Sequence, residues 1–150
     1  HGKPSSLGFI SGTIAGLGAI TPAAEFVDMR AALLIGTVAG ILCYYALLWR
    51  VKHKFDESLD AWAVHGVSGF WGTIACGIFA AASVCGISGL LEGNAYLFGV
   101  QILDAVVTAV FAFVGTYFLA WIVDKTNGLR VTEEEEYIGL DLTQHGEMVT

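Results

Sequence analysis

The sequence predicts an all-α membrane protein, and three observations carry that prediction. Four long apolar runs follow one another along the chain. Charged residues make up only 14% and hydrophobic residues 55%, whereas a soluble domain carries about 25% charged residues. The lysines and arginines also fall almost entirely on one side of the runs. A disordered chain, a collagen-like chain and a coiled coil are excluded, and an ordinary soluble enzyme is disfavoured.

The first run extends from about Ser5 to Ile20, the second from Ala31 to Trp49, the third from Ala61 to Val84 and the fourth from Tyr96 to Val123. A spanning helix needs about 20 mostly apolar residues. The last three runs qualify; the first does so only if it continues past Pro22 towards Phe26. Pro4 suits a first helical turn, where a missing N–H costs nothing. The fourth run would reach about 42 Å and must tilt or project from a hydrocarbon core of about 30 Å.

Four crossings place both ends on one side. Lys3, Arg50, Lys52, Lys54, Lys125 and Arg130 fall there, and only Arg30 falls opposite. The positive-inside rule makes that side cytoplasmic. The formal net charge of −7 comes largely from residues 128–150, where one arginine meets six acids. No basic stripe supports nucleic-acid binding. The chain opens on His1, with no signal-peptide pattern before the first run, and a fragment of a longer protein is expected.

Small residues recur at four-residue spacing: Gly8, Gly12 and Gly16; Gly36 and Gly40; Gly69, Thr73 and Gly77. Such rows let helix backbones approach closely in a membrane. The glycine-containing loop Cys85–Gly93 lacks a Walker lysine and reads as a flexible surface loop. Cys43, Cys76 and Cys85 form no CxxC pair; Cys43 and Cys76 are expected to be small packing residues.

His65 is the leading candidate for chemistry. An ionisable group within a membrane helix is costly and marks function by default. Imidazole donates with one nitrogen and accepts with the other, and histidines exchange protons near neutral pH. The competing reading is a packed histidine satisfied by a carbonyl. Ser68, three positions on, could face His65, but no orienting acid completes a catalytic set. Asp60 is expected to cap the third helix; Asp56 and Glu57 belong to the wet loop, and His53 is solvated. Asp104 is the only acid well inside an apolar run. No metal cluster or cofactor motif stands out.

Residues 56–72, DESLDAWAVHGVSGFWG, together with the tail 127–147, NGLRVTEEEEYIGLDLTQHGE, resemble the ammonium transporters (the Amt/Mep/Rh superfamily), and the tail favours the Amt branch. The opening Gly2–Ser5 and the turn Ile20–Ala23 fit too, so the resemblance covers essentially the whole chain in order. It implies an eleven-helix transporter with inverted halves, assembled as a homotrimer in the cell membrane. This chain would supply the last four transmembrane helices, residues 1–126, and a cytoplasmic regulatory tail, residues 127–150. His65 matches the second of a histidine pair lining a dry pore, Ser11 a polar residue of the inner lumen, and Ala61 an apolar position near the inner exit. The partner histidine and the outer recruitment site would lie in the missing part.

Glu25 departs from the family pattern, which has glycine there, and Asp28 and Arg30 add charge to the same turn; a backbone needing φ > 0 at that position would strain glutamate more than glycine. In the tail, Arg130, Gly139, Asp141, Thr143 and His145 fall on the regulatory segment, which implies contact with a neighbouring subunit and docking of PII-type signalling proteins. Thr143 matches a phosphorylated position, or its hydroxyl caps a short turn. Ammonium is expensive to transfer into a dry lumen, so the implied transport deprotonates it on entry and conducts ammonia. A stand-alone four-helix scaffold or sensor, and a membrane enzyme using His65, are the alternatives.

Overall fold

The computed structural model describes residues 5–57 and 59–147, and every regular element among them is helical. Helix α1 spans Ser6–Ile20. The Ser5 hydroxyl accepts the Gly8 N–H at 3.0 Å, which supplies the N-cap a helix start demands; Lys3 and Pro4 lie outside the described residues. The helix stops at Ile20, short of Phe26, and the chain turns through bonds from Ala23 N–H to the Ile20 carbonyl and from Phe26 N–H to the Ala23 carbonyl. At about 22 Å, α1 alone is shorter than a hydrocarbon core. Glu25 lies in this turn without a positive φ, which among the described non-glycine residues only Lys54 and Asp60 adopt. The replacement of glycine therefore strains nothing there.

Helix α2, Met29–His53, starts where the Asp28 carboxylate accepts the Ala31 N–H at 2.8 Å. It ends on left-handed Lys54, with Arg50, Lys52 and His53 in the last turn, where positive charge complements the helix dipole.

The third apolar run departs from a single helix at both ends. It opens with a π turn, Trp62–Gly66, in which the Val67 N–H reaches back five residues to the Trp62 carbonyl. It then continues as α3, Val67–Phe79. At Ala80 the backbone becomes extended, and a separate short helix, α4, covers Ala82–Cys85. Tertiary bonds replace the helical ones at this break: Ala81 donates to the Phe26 carbonyl at 2.9 Å, and Gly89 donates to the Ala80 carbonyl at 2.7 Å. The segment after α4 is consequently a folded return and not a loose loop. It holds a 3-10 turn at Leu90–Glu92, and the Glu92 carboxylate accepts the Ala82 N–H at 2.9 Å.

Helix α5, Ala95–Thr126, has 32 residues, about 48 Å. The Asn94 side chain accepts the Leu97 N–H near its start. Among the described residues, α2 and α5 are the two helices long and apolar enough to cross a membrane.

The chain divides into two compact units between Thr108 and Ala109. The first is built around α1, α2 and α3. Its core is made of small side chains: Ala19, Ala23, Ala31, Ala39, Ala75 and Cys76 surround the fully buried Ile35. Cys43, with Ala15 and Val64, forms a second buried group. Small residues permit close axes, and dispersion contacts then accumulate without large side chains. Trp71 fastens α3 to α2 by donating from its indole nitrogen to the Ile35 carbonyl at 3.1 Å.

The close approaches fall on glycines other than most of the predicted rows. A Cβ at Gly18 would stand 2.5 Å from the Ser68 hydroxyl, and one at Gly72 would collide with the Ala19 carbonyl and Pro22. Of the row glycines, Gly77 is pinned against Gln101 and Phe98 and Gly8 stands close to the Ser5 hydroxyl; Gly12, Gly16, Gly36, Gly40 and Gly69 face open space.

The second unit contains the remainder of α5 and two short helices, α6 (Glu133–Ile138) and α7 (Leu140–His145).

Candidate functional site

His65 sits in the π turn and is exposed, as is Ala61, one residue before the turn; Ser11 is half-buried on α1. Ser68 folds its hydroxyl back onto the preceding turn, as serine and threonine do within helices: fully buried, it donates to the Val64 carbonyl and, at 3.3 Å, to the His65 carbonyl. Ser68 is thus a backbone staple at the α1 crossing and not a nucleophile facing the imidazole. Histidine's side chain is left on the uncovered face of the turn.

Asp60 does not cap this helix. It adopts φ 53°, and its carboxylate lies 2.5 Å from Arg50 Nη2. The capping role belongs to Glu57, whose Oε1 accepts the Trp62 N–H at 2.5 Å. Arg50 also donates from Nη1 to the Glu57 carbonyl at 2.8 Å and to the Phe55 carbonyl at 3.3 Å. One guanidinium at the end of α2 therefore gathers the whole approach to the π turn. Around it lies a cleft of about 400 Å³ lined by Trp49, Phe55, Asp56, Glu57 and Trp62. His53 bonds through Nδ1 to the Trp49 carbonyl at 2.8 Å, and its ring lies tilted against that of Trp49. Sequence reading missed this arrangement, although an Arg and two acids bracketing a helix start (50, 57, 60) were there to be paired. Asp104 is exposed on α5.

The tail residues share one small fold. Thr132 and Glu135 form a reciprocal capping box: the Glu135 carboxylate accepts the Thr132 N–H at 2.9 Å, and the Thr132 hydroxyl accepts the Glu135 N–H at 3.3 Å. Bonding from the Thr132 backbone and then its hydroxyl holds the Glu135 carboxyl below its usual range, with Gln144 adding to the effect. Gly139, at φ 109°, both ends α6 and starts α7. Thr143 is no cap; its hydroxyl, inside α7, donates to the Gly139 carbonyl at 3.0 Å and the Glu135 carbonyl at 3.5 Å. Asp141 and His145 are exposed on α7, and Arg130 lies exposed before α6.

Hydrocarbon side chains stand uncovered along the long helices: Phe111 is 78% exposed and Phe113 73%. Soluble monomers rarely leave such continuous apolar surface in water. Helices with apolar flanks, joined by capped turns and bearing one imidazole on an open face, define an integral membrane bundle. The sequence pattern of the Ammonium Transporter Family matches residues 1–150, and the chain belongs to that family. It is 56% identical over 147 residues to an ammonium transporter, Amt1, of Archaeoglobus fulgidus, covering 98% of this chain and 38% of the relative. It is 48% identical to an ammonium transporter of Bacillus subtilis, covering 97% of this chain and 37% of the relative. The crystal structure of Candida albicans Mep2 superposes with a TM-score of 0.82 at 32% identity, over 89% of this chain and 31% of that one. The chain thus spans little more than a third of the curated relatives it matches. Those relatives are named as ammonium transporters.

Proposed function

We propose that the protein to which these residues belong moves ammonium across a membrane, with His65 lining the conducting path. The observation that carries this reading is the family match running unbroken through the His65 segment, joined to the exposure of that imidazole on the π turn. A packed histidine would be covered by its own bundle. Here the open face of the turn leaves room for a second wall from the rest of the full-length chain, whose partner histidine would complete the pore. Ser11 and Ala61 line the inner part of the same path.

The chemistry follows from desolvation. A cation entering a narrow apolar lumen loses its hydration at large cost. Ammonium can avoid that cost by leaving its proton behind, whereas sodium and potassium cannot. An imidazole that offers both a donor and an acceptor suits the neutral solute and a transferred proton alike. In this reading the chain contributes the last four transmembrane helices of an eleven-helix, inverted-repeat subunit of a homotrimer in the cell membrane, with residues 127–150 cytoplasmic. The element formed by α6 and α7 then serves as the regulatory tail that meets a neighbouring subunit or a PII-type protein. Arg130, Gly139, Asp141, Thr143 and His145 carry that role.

Labelled methylammonium uptake by full-length protein carrying His65→Leu, with potassium as competitor, tests the pore assignment. The expected result is an assembled protein with altered uptake and weakened discrimination against potassium. Uptake and selectivity indistinguishable from the parent would overturn it.

A further inference from the structure

Arg50 makes more contacts than a membrane-edge arginine needs. Its Nη2 meets the Asp60 carboxylate, its Nη1 meets two loop carbonyls, and its Nε stands 3.9 Å from Glu57 Oε2. All three side chains are largely shielded, with 16% of Arg50, 21% of Glu57 and 27% of Asp60 exposed. Each acid does something specific to the helix start. Glu57 covers the Trp62 N–H. Asp60 takes the left-handed conformation, and its carbonyl accepts the Val64 N–H at 2.8 Å. A non-glycine residue holds that conformation at a cost and keeps it where surrounding contacts fix it.

The π turn begins two residues later. In a helix each residue advances about 100°, so the residue at which the turn begins decides the direction of every side chain in it, His65 included. We propose that Arg50 is a positioning residue for conduction. By holding Asp60 left-handed and Glu57 over the Trp62 amide, it fixes the start of the π turn and thereby aims His65. This inference rests on the reading of His65 as a pore residue. Lysine is a poor substitute, because a point charge cannot reach a carboxylate and two carbonyls with the fork of a guanidinium.

The test is a double-mutant cycle in the full-length transporter, read by methylammonium uptake and by discrimination against potassium. Arg50→Gln is expected to lower saturating uptake on the order of tenfold to a hundredfold, the scale of a misplaced functional group, with KM unchanged. Arg50→Lys is expected to restore part of that loss. In a His65→Leu background, Arg50→Gln is expected to change neither quantity further, because non-additivity marks residues acting through one another. An equal fold-loss in both backgrounds, or no loss in the parent, overturns the positioning role while leaving the pore assignment standing. No effect of His65→Leu alone overturns the pore assignment itself, and the inference with it. Should Arg50→Gln fail to assemble, Asp60→Ala replaces it in the cycle. Alanine removes the carboxylate that Arg50 holds and disfavours the left-handed conformation, so the same two outcomes decide.

Discussion

The glycines of this chain fall into two sets that look alike in sequence and behave differently in space. At Gly18 and Gly72 the axes of α1 and α3 come so close that a methyl group has nowhere to go. At Gly12, Gly16, Gly36, Gly40 and Gly69 a methyl group would meet nothing within 4 Å. Spacing of four residues marks a face that can be approached; it does not say what approaches. The packed set is satisfied by helices of this chain. The open set lies on surfaces that no described residue of this chain covers.

The largest effect should come from the packed set. Gly72→Ala places a Cβ against the Ala19 backbone and the Pro22 ring, neither of which can rotate aside. A loss of about 3 kcal/mol or more is expected, visible as a collapse in thermal stability of the detergent-solubilised full-length protein. Wild-type stability in that variant would break the contrast at its root. Gly18→Ala meets a hydroxyl that also staples the π turn, and a loss of about 1–3 kcal/mol is expected.

A substitution in the open set sharpens the contrast from the other side. Gly40→Ala in residues 1–150 should leave packing unchanged and raise helix stability by about 0.5–1 kcal/mol through backbone entropy. Circular dichroism of the chain in micelles measures this. A destabilised helix would show that Gly40 is already engaged within the chain.

Part of this division was legible and part was not. The apolar runs located the helices, but the caps at Ser5 and Asp28 were not read from the sequence; they are visible only as bonds to Gly8 and Ala31. The segment 56–72 marked His65. The break at Ala80 was hidden, since nothing in Phe79-Ala80-Ala81-Ala82 resists a helix; bonds to Phe26 and Gly89 decide it from a distance. The same holds for Asp60. Its place before the third helix fits a cap, but Arg50, ten residues upstream, claims the carboxylate and leaves the cap to Glu57. Local chemistry was readable; competition among distant partners was not.

The smallest predicted effect concerns the tail, where the contrast is between a core held by packing and a helix held by a cap. The Glu135 carboxyl is held below its ordinary value of 4.5 by bonds that exist only when α6 is folded. Lowering a carboxyl in the folded state stabilises that state above the ordinary value, and the gain is lost as pH falls through the lowered one. Amide signals of Glu135 and Glu136 should therefore move part of the way towards unfolded positions on acidification below 4.5, while those of α2 stay unchanged. The group is open to solvent, so the shift in helix population should be slight. Thr132→Ala should abolish this acid dependence; its persistence would assign it elsewhere.

The π turn carries one consequence for how this sequence can change. Its bonds close over five residues where an α-helix closes over four, so the turn holds an extra residue. Deleting any one residue between 61 and 66 would let the chain relax into a plain α-helix, a milder event locally than most deletions. The Trp62 carbonyl and the Val67 N–H, now bonded across five residues, would then be bonded across four, so the segments on either side would keep their phase and Glu57 and Asp60 would stay beside Arg50. The turn is thus a place where one residue can be lost or gained without disturbing the helix on either side. The change falls on the side chains inside the turn, His65 among them.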